Sequence, residues 1–236
     1  RYPWRGKGLS ITFDNNAKHA GAKPTPRKKG RTMTMGVFGG TFDPPHICHT
    51  LACLYALETG GLDRVIVIPC FRHPLGKVAA SYEHRLAMAQ LAMGCLGGRV
   101  EVSDLESQRD GPSYTIDTLR ALCSQHPGES LRLLVGSDIL PETHLWKDFD
   151  EIQKISPVFV IPRRGQQDAE TQDTISHSFF LPDISSTEVR RRLSEGRGVE
   201  YYVAKSVLEY IRVHGIYRED PGFGDSRSRT CPRSSA

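Results

Sequence analysis

Gly39-Gly40-Thr41-Phe42-Asp43-Pro44-Pro45-His46-Ile47-Cys48-His49 follows a short apolar, β-compatible run from Met35 to Phe38. It leads into a stretch of helical spacing, Ile47 to Glu58. Glycines directly after a strand let the backbone turn sharply and approach a ligand closely. The helix that follows presents unpaired N–H groups and the positive end of its dipole, a natural seat for phosphate. His46 and His49 stand three residues apart at that helix start, so they share a face. Two imidazoles placed there can both reach a phosphate chain lying across the helix end. They can donate hydrogen bonds and balance charge as pyrophosphate departs. Thr41 adds a hydroxyl, and Pro44-Pro45 stiffens the approach. The stretch is not a Walker loop, since it lacks Gly-Lys-Ser/Thr, and not a G-x-G-x-x-G fingerprint, since the third glycine is absent. A plain glycine-rich turn with surface histidines would leave the two prolines and the spaced histidines unexplained.

Outward from this turn, short apolar runs alternate with amphipathic stretches. Arg64 to Ile68 is a continuous β-branched run stopped by Pro69, which suits a strand buried on both faces. Ser81 can cap a helix running to Met93, with Leu86, Ala89 and Leu91 among its apolar positions. Arg99 to Val102, Leu131 to Val135 and Pro157 to Ile161 read as strands, and Phe179 to Leu181 as a last short one. Ser113 to Ser124 predicts a helix with Ile116, Leu119 and Leu122 on one side; Ser186 to Glu195 and Ala204 to His214 predict closing helices. Strands alternating with helices imply an α/β fold with a mostly parallel, doubly wound sheet and helices on both faces. Ligands of such sheets sit at the carboxyl ends of the strands, near the topological switch point.

Charge divides the 236 residues unevenly. Residues 1–33 carry nine Lys or Arg against one acidic residue, Asp14, while the rest carries 22 basic and 26 acidic residues. The basic front is rich in Pro, Gly and Lys and lacks the apolar surface to order itself. It reads as a disordered extension ahead of a start at Met33 or Met35. Residues 34–218 read as the folded domain and 219–236 as a loose tail. No stretch approaches the roughly 18 apolar residues that span a bilayer, and no secretory signal pattern is visible. Six cysteines without a Cys-x-x-Cys pair point to a reducing, cytoplasmic setting. His46, Cys48 and His49 lack a fourth ligand at zinc spacing, so no metal site is assigned to the protein.

The turn resembles the signature of the nucleotidyltransferase superfamily with paired histidines. The resemblance continues through Gly111-Pro-Ser-Tyr-Thr-Ile-Asp-Thr-Leu119, Leu134-Val-Gly-Ser-Asp138, Trp146 and Ile184-Ser-Ser-Thr-Glu-Val-Arg-Arg-Arg-Leu193. These blocks are similar to those of bacterial nicotinate mononucleotide adenylyltransferases, in family order, over about Met35 to Arg218. The resemblance implies a Rossmann-like fold and Mg2+ bound with ATP. It implies ATP contacts at Gly39, Gly40, Thr41, Phe42, Ser186 and Thr187, and catalytic roles for His46, His49 and Arg190. Lys77, in the loop His73-Pro74-Leu75-Gly76-Lys77, is a looser match to a family lysine near the triphosphate. Thr115 and Trp146 correspond to residues at the nicotinate carboxylate and ring, and Gly136 and Asp138 join the substrate-binding set. Asp138 could hold ribose hydroxyls or cap a local turn; Arg191 and Arg192 read as a solvated basic face. The family has glycine where this chain has Cys48, so a sulfur stands where adenine would approach the helix.

The implied reaction transfers the adenylyl group of ATP to nicotinate mononucleotide, giving nicotinate adenine dinucleotide and pyrophosphate. Alternatives keep the chemistry with nicotinamide mononucleotide or phosphopantetheine as acceptor, or reduce the chain to a nucleotide-binding protein with weakened catalysis. A nucleic-acid-binding role would rest on residues 1–33 alone, because the remaining chain has no basic, aromatic-interleaved stripe. Sequence leaves a homo-oligomer open.

Overall fold

The computed structural model describes residues 32–74, 76, 80–163 and 180–217. Five parallel strands form one sheet: β1 (Thr34–Gly40), β2 (Arg64–Pro69), β3 (Val100–Val102), β4 (Ser130–Gly136) and β5 (Val158–Ile161), in the order β3-β2-β1-β4-β5. Among the described residues six α-helices accompany them: α1 (Ile47–Thr59), α2 (Tyr82–Met93), α3 (Thr115–Gln125), α4 (Phe149–Ile155), α5 (Ser186–Ser194) and α6 (Lys205–His214). The strand order reverses between β1 and β4, which pair from Thr34–Ser130 to Val37–Leu133. The carboxyl ends of these two strands therefore border the switch point where such sheets take ligands.

The β-branched run of β2 is buried on both faces as its composition predicts. Val65 and Val67 pack with Ala52, Cys53 and Ala56 of α1, while Ile66 and Ile68 pack with Ile116, Leu119 and Leu122 of α3. β4 divides in the same way, Leu134 to one side and Leu133 and Val135 to the other. A third, smaller cluster joins Met88 and Ala92 of α2 to Val189 of α5 and to Val207, Leu208 and Ile211 of α6.

Four details differ from the sequence reading. α3 begins at Thr115, because Ser113 is tied to the loop after β2: its N–H donates to Arg72 O at 3.0 Å and its Oγ accepts from Arg72 N at 3.2 Å. The buried face of α2 runs through Arg85, Met88, Ala89, Ala92 and Met93, leaving Leu91 38% exposed. The two-turn helix α4, which buries Ile152, lies in a stretch assigned no element from sequence. Of the last short strand, Leu181 makes a single parallel bridge to Arg163, and Phe179 lies outside the described residues. Among the described residues no helix is long and apolar enough to cross a membrane.

Leu119 is fully buried between α3 and the sheet. Leu119→Ala should lower unfolding free energy by about 2–5 kcal/mol, the usual range for truncating a buried leucine. A urea titration would show this as a lower midpoint at unchanged slope.

Candidate active site

β1 delivers the chain to the switch point and ends at Gly39-Gly40. A Cβ at Gly39 would meet nothing within 4 Å; it would project into open space at the mouth of a cleft of about 610 Å3. Gly40 is different, since its Cβ would crowd the ring of Phe42 at 3.2 Å. Phe42 takes a left-handed backbone, φ 50°, which a side-chain-bearing residue adopts only when its surroundings hold it. Its ring supplies that hold. It is 1% exposed, stands edge-on to Phe38 at 5.5 Å and packs on His49 at 4.9 Å. Phe42 thus shapes the turn from below, and only its backbone could meet a nucleotide.

Carbonyl oxygens of the turn are taken up from outside the cleft. Thr41 O accepts from Arg85 Nη1 at 2.8 Å, Asp43 O from Arg190 Nη1 at 2.6 Å, and Pro44 O from Ser186 Oγ at 2.9 Å. The carboxylate of Asp43 is buried, and its Oδ1 accepts from Ala80 N at 3.2 Å and Tyr217 OH at 2.6 Å. Burial, with Asp43 beside it, raises the Tyr217 phenol above its usual pKa, so it remains a donor. Ser186, Thr187 and Arg190 therefore stand against the outer side of the turn, with Arg190 Nη2 also donating to Thr187 Oγ1 at 3.3 Å. Arg191 and Arg192 pair with Glu188, and Arg191 also with Glu195, as a basic surface face would.

His46 caps α1 and is 3% exposed; His49 is half-buried one turn later. The rings lie 3.9 Å apart between centroids. The His46 N–H donates to His49 Nδ1 at 3.1 Å, so in the neutral ring Nε2 carries the proton. Burial, and secondarily the charge of Arg163, lowers the His46 pKa from 6.5 to about 4. Burial, then His46 and Arg163, holds His49 well below the usual value. At neutral pH both rings are uncharged donors. His49, which lines the cleft, can bond to phosphate oxygens, but charge balance before a polyanion arrives rests on neighbouring guanidinium groups.

The far wall of the cleft comes from Thr115 at the start of α3, from Gly136 and Asp138 after β4, and from Trp146 and Lys147. Trp146 is half-buried and meets Phe149 edge-to-face at 6.2 Å. Lys147 Nζ lies 4.7 Å from the centre of the Tyr114 ring and 3.5 Å from Asp117 Oδ2. Asp138 is held by Arg163, whose Nη1 donates to Asp138 Oδ2 at 2.7 Å. The sulfur of Cys48 donates to Pro182 O at 3.4 Å and is buried on the cleft's edge, with its pKa raised chiefly by burial. One cleft thus gathers Gly39, Gly40, Thr41, His49, Thr115, Gly136, Asp138 and Trp146. His46 lies beneath it, and Lys77 falls outside the described residues.

The cytidylyltransferase-like family model matches residues 37–192. The protein named "Probable nicotinate-nucleotide adenylyltransferase" of Thermus thermophilus is 39% identical over 188 residues, covering 79% of this chain and all of that one. The chain belongs to the nicotinate-nucleotide adenylyltransferases of this family. A relative of the same name from Anaeromyxobacter dehalogenans is 38% identical over 187 residues, covering 78% of this chain and 96% of its own. Nicotinic acid mononucleotide adenylyltransferase of Plasmodium falciparum, complexed with NaAD, superposes with a TM-score of 0.64 at 18% identity over 78% of this chain and 97% of its own, and shares the fold.

Arg163, Lys147 and Tyr217 escaped the sequence reading, in which Arg85 is at most a salt-bridging helix residue without a role. Arg163 had a usable signal, since it stands just past the carboxyl end of a strand, where ligands of this fold gather. For the other three no local pattern marks the partner.

The lowered His46 pKa has a consequence for stability. Between about 4 and 6.5 the unfolded chain binds more protons at this position than the folded one, so stability falls as pH drops through that window. The urea midpoint should decrease from pH 7 to pH 4.5, with a shallower decrease in His46→Gln. Equal slopes in the two proteins would exclude His46 as a source.

Proposed function

We propose that this chain transfers the adenylyl group of ATP to nicotinate mononucleotide, releasing nicotinate adenine dinucleotide and pyrophosphate. The observation that carries the reading is a single cleft with two unlike ends. One end has the glycine turn, His49 and Arg163; the other has Thr115, Trp146 and Lys147. A triphosphate suits the first, and a flat pyridine ring suits an indole beside a helix start. The ammonium of Lys147, which a ring carboxylate would share with Asp117, favours that carboxylate over a neutral amide.

A phosphate oxygen of the mononucleotide attacks the α-phosphorus of ATP, a new P–O bond forms, and the bond to the departing pyrophosphate breaks. An anionic phosphate is already nucleophilic at neutral pH, so no general base is required. Catalysis then rests on alignment and on stabilising charge at the transferring group. In this reading His49 donates to phosphate oxygens, while His46, beneath the cleft, orients the His49 ring through its backbone N–H; a bound polyanion draws the His49 pKa upward. Arg163 faces the phosphates directly and Arg190 supports the turn that holds them, with Lys77 as a further cation. Asp138 would share its carboxylate between Arg163 and a ribose. Among the described residues no group of three or more His, Cys, Asp or Glu is placed to hold a metal; Mg2+ would be carried by the oxygens of ATP, where it neutralises charge.

Pyrophosphate release with ATP and Mg2+ is measured side by side for nicotinate and nicotinamide mononucleotides. The acid should be preferred. No release above background with either acceptor would overturn the reading, and ATP binding without turnover would mark a nucleotide-binding protein instead. His49→Ala should lower kcat by about a hundredfold, as loss of one oriented donor does. Trp146→Ala should raise KM for the mononucleotide about tenfold, through lost stacking and contact area, with KM for ATP unchanged.

A further inference from the structure

Arg85 opens the buried face of α2, in the helix's first turn, and is 1% exposed. Its guanidinium binds three separate segments. Nη1 donates to Thr41 O in the phosphate turn at 2.8 Å, Nε to Ala80 O at the entry to α2 at 3.3 Å, and Nη2 to Phe71 O after β2 at 3.5 Å. Its charge also stands 5.6 Å from the ring centre of Tyr82. Burying a cation is costly, and an apolar side chain of similar volume often packs at least as well. Met88 and Ala92, one and two turns further along the same helix, already fill this face with apolar atoms. A retained guanidinium is therefore better explained by what it holds than by packing.

What it holds borders one end of the cleft. Thr41 lines the cleft, and Cys70 and His73, flanking Phe71, line it from the segment after β2. We propose that Arg85 is a positioning residue for the ATP phosphates. It fixes the turn and the segment after β2 relative to each other, and it places a buried positive charge under the polyanion without touching it. This rests on the adenylyl-transfer reading. The acceptor end of the cleft, with Thr115 and Trp146, lies on different elements and meets the segment that Arg85 holds through the Arg72–Ser113 hydrogen bonds.

The test compares Arg85→Lys and Arg85→Met with the unaltered protein, measuring kcat and the two KM values separately, together with thermal midpoints. Turnover by the unaltered protein establishes the reaction first; without it the reading fails, and calorimetric ATP titration still decides the role of Arg85. In Arg85→Met, KM for ATP should rise about tenfold, the usual effect of losing one charged hydrogen bond. Arg85→Lys should show a smaller rise, and in either variant KM for nicotinate mononucleotide should rise clearly less than KM for ATP. A purely structural arginine would lower the midpoint and the active fraction, so that kcat falls while both KM values stay put. That outcome, or a parallel rise in both KM values, overturns the proposal. If Arg85→Met is insoluble, Arg85→Lys decides by the same split.

Discussion

Three carbonyl oxygens between Thr41 and Pro44 are each bonded by a side chain from a helix distant in sequence: Arg85 from α2, and Arg190 and Ser186 from α5. A turn of this kind cannot satisfy its own backbone, because the prolines and the left-handed Phe42 break any regular ladder. Buried carbonyls left without donors would open the turn to water. The switch point of the sheet therefore becomes a usable site only when α2 and α5 are seated against it. The small third core of Met88, Val189 and Leu208 seats them, so a cluster remote from the cleft carries the geometry of the cleft.

The same arrangement separates two tasks that residue types alone would merge. The histidines, one buried and one half-buried, are neutral at physiological pH, so they contribute direction rather than charge. The permanent charges belong to guanidinium groups, which deprotonate in no accessible pH range. Such a division lets donors sit in a low-dielectric pocket where hydrogen bonds are strong. The field that draws an anion in then does not depend on small shifts in pH.

Much of this was legible from short-range pattern. The β-branched run of β2, the glycines closing β1 and the one-sided Ile116, Leu119 and Leu122 each follow from local sterics and burial. The cleft-lining glycines could be found because strand ends are predictable in a doubly wound sheet, whereas Trp146 was marked only by the family resemblance. The rest depends on partners far away in sequence. Arg85 looks like an ordinary surface residue of α2 until the turn arrives to cover it. Helix α4 was missed because two turns leave too few positions to display a period, and its apolar residues Phe149, Ile152 and Ile155 are spaced for either a helix or a loop. The swap of Leu91 for Arg85 on the buried face has the same origin, since α5 and α6 decide which side of α2 is covered.

The bond from Tyr217 to Asp43 joins residues 174 positions apart. During synthesis the phosphate turn leaves the ribosome early, while its last donor arrives only after both closing helices have been made. A nascent chain would thus carry an incompletely supported ATP end for most of its translation. Because domains fold as units, the turn gains its full support only when the fold through Tyr217 is complete.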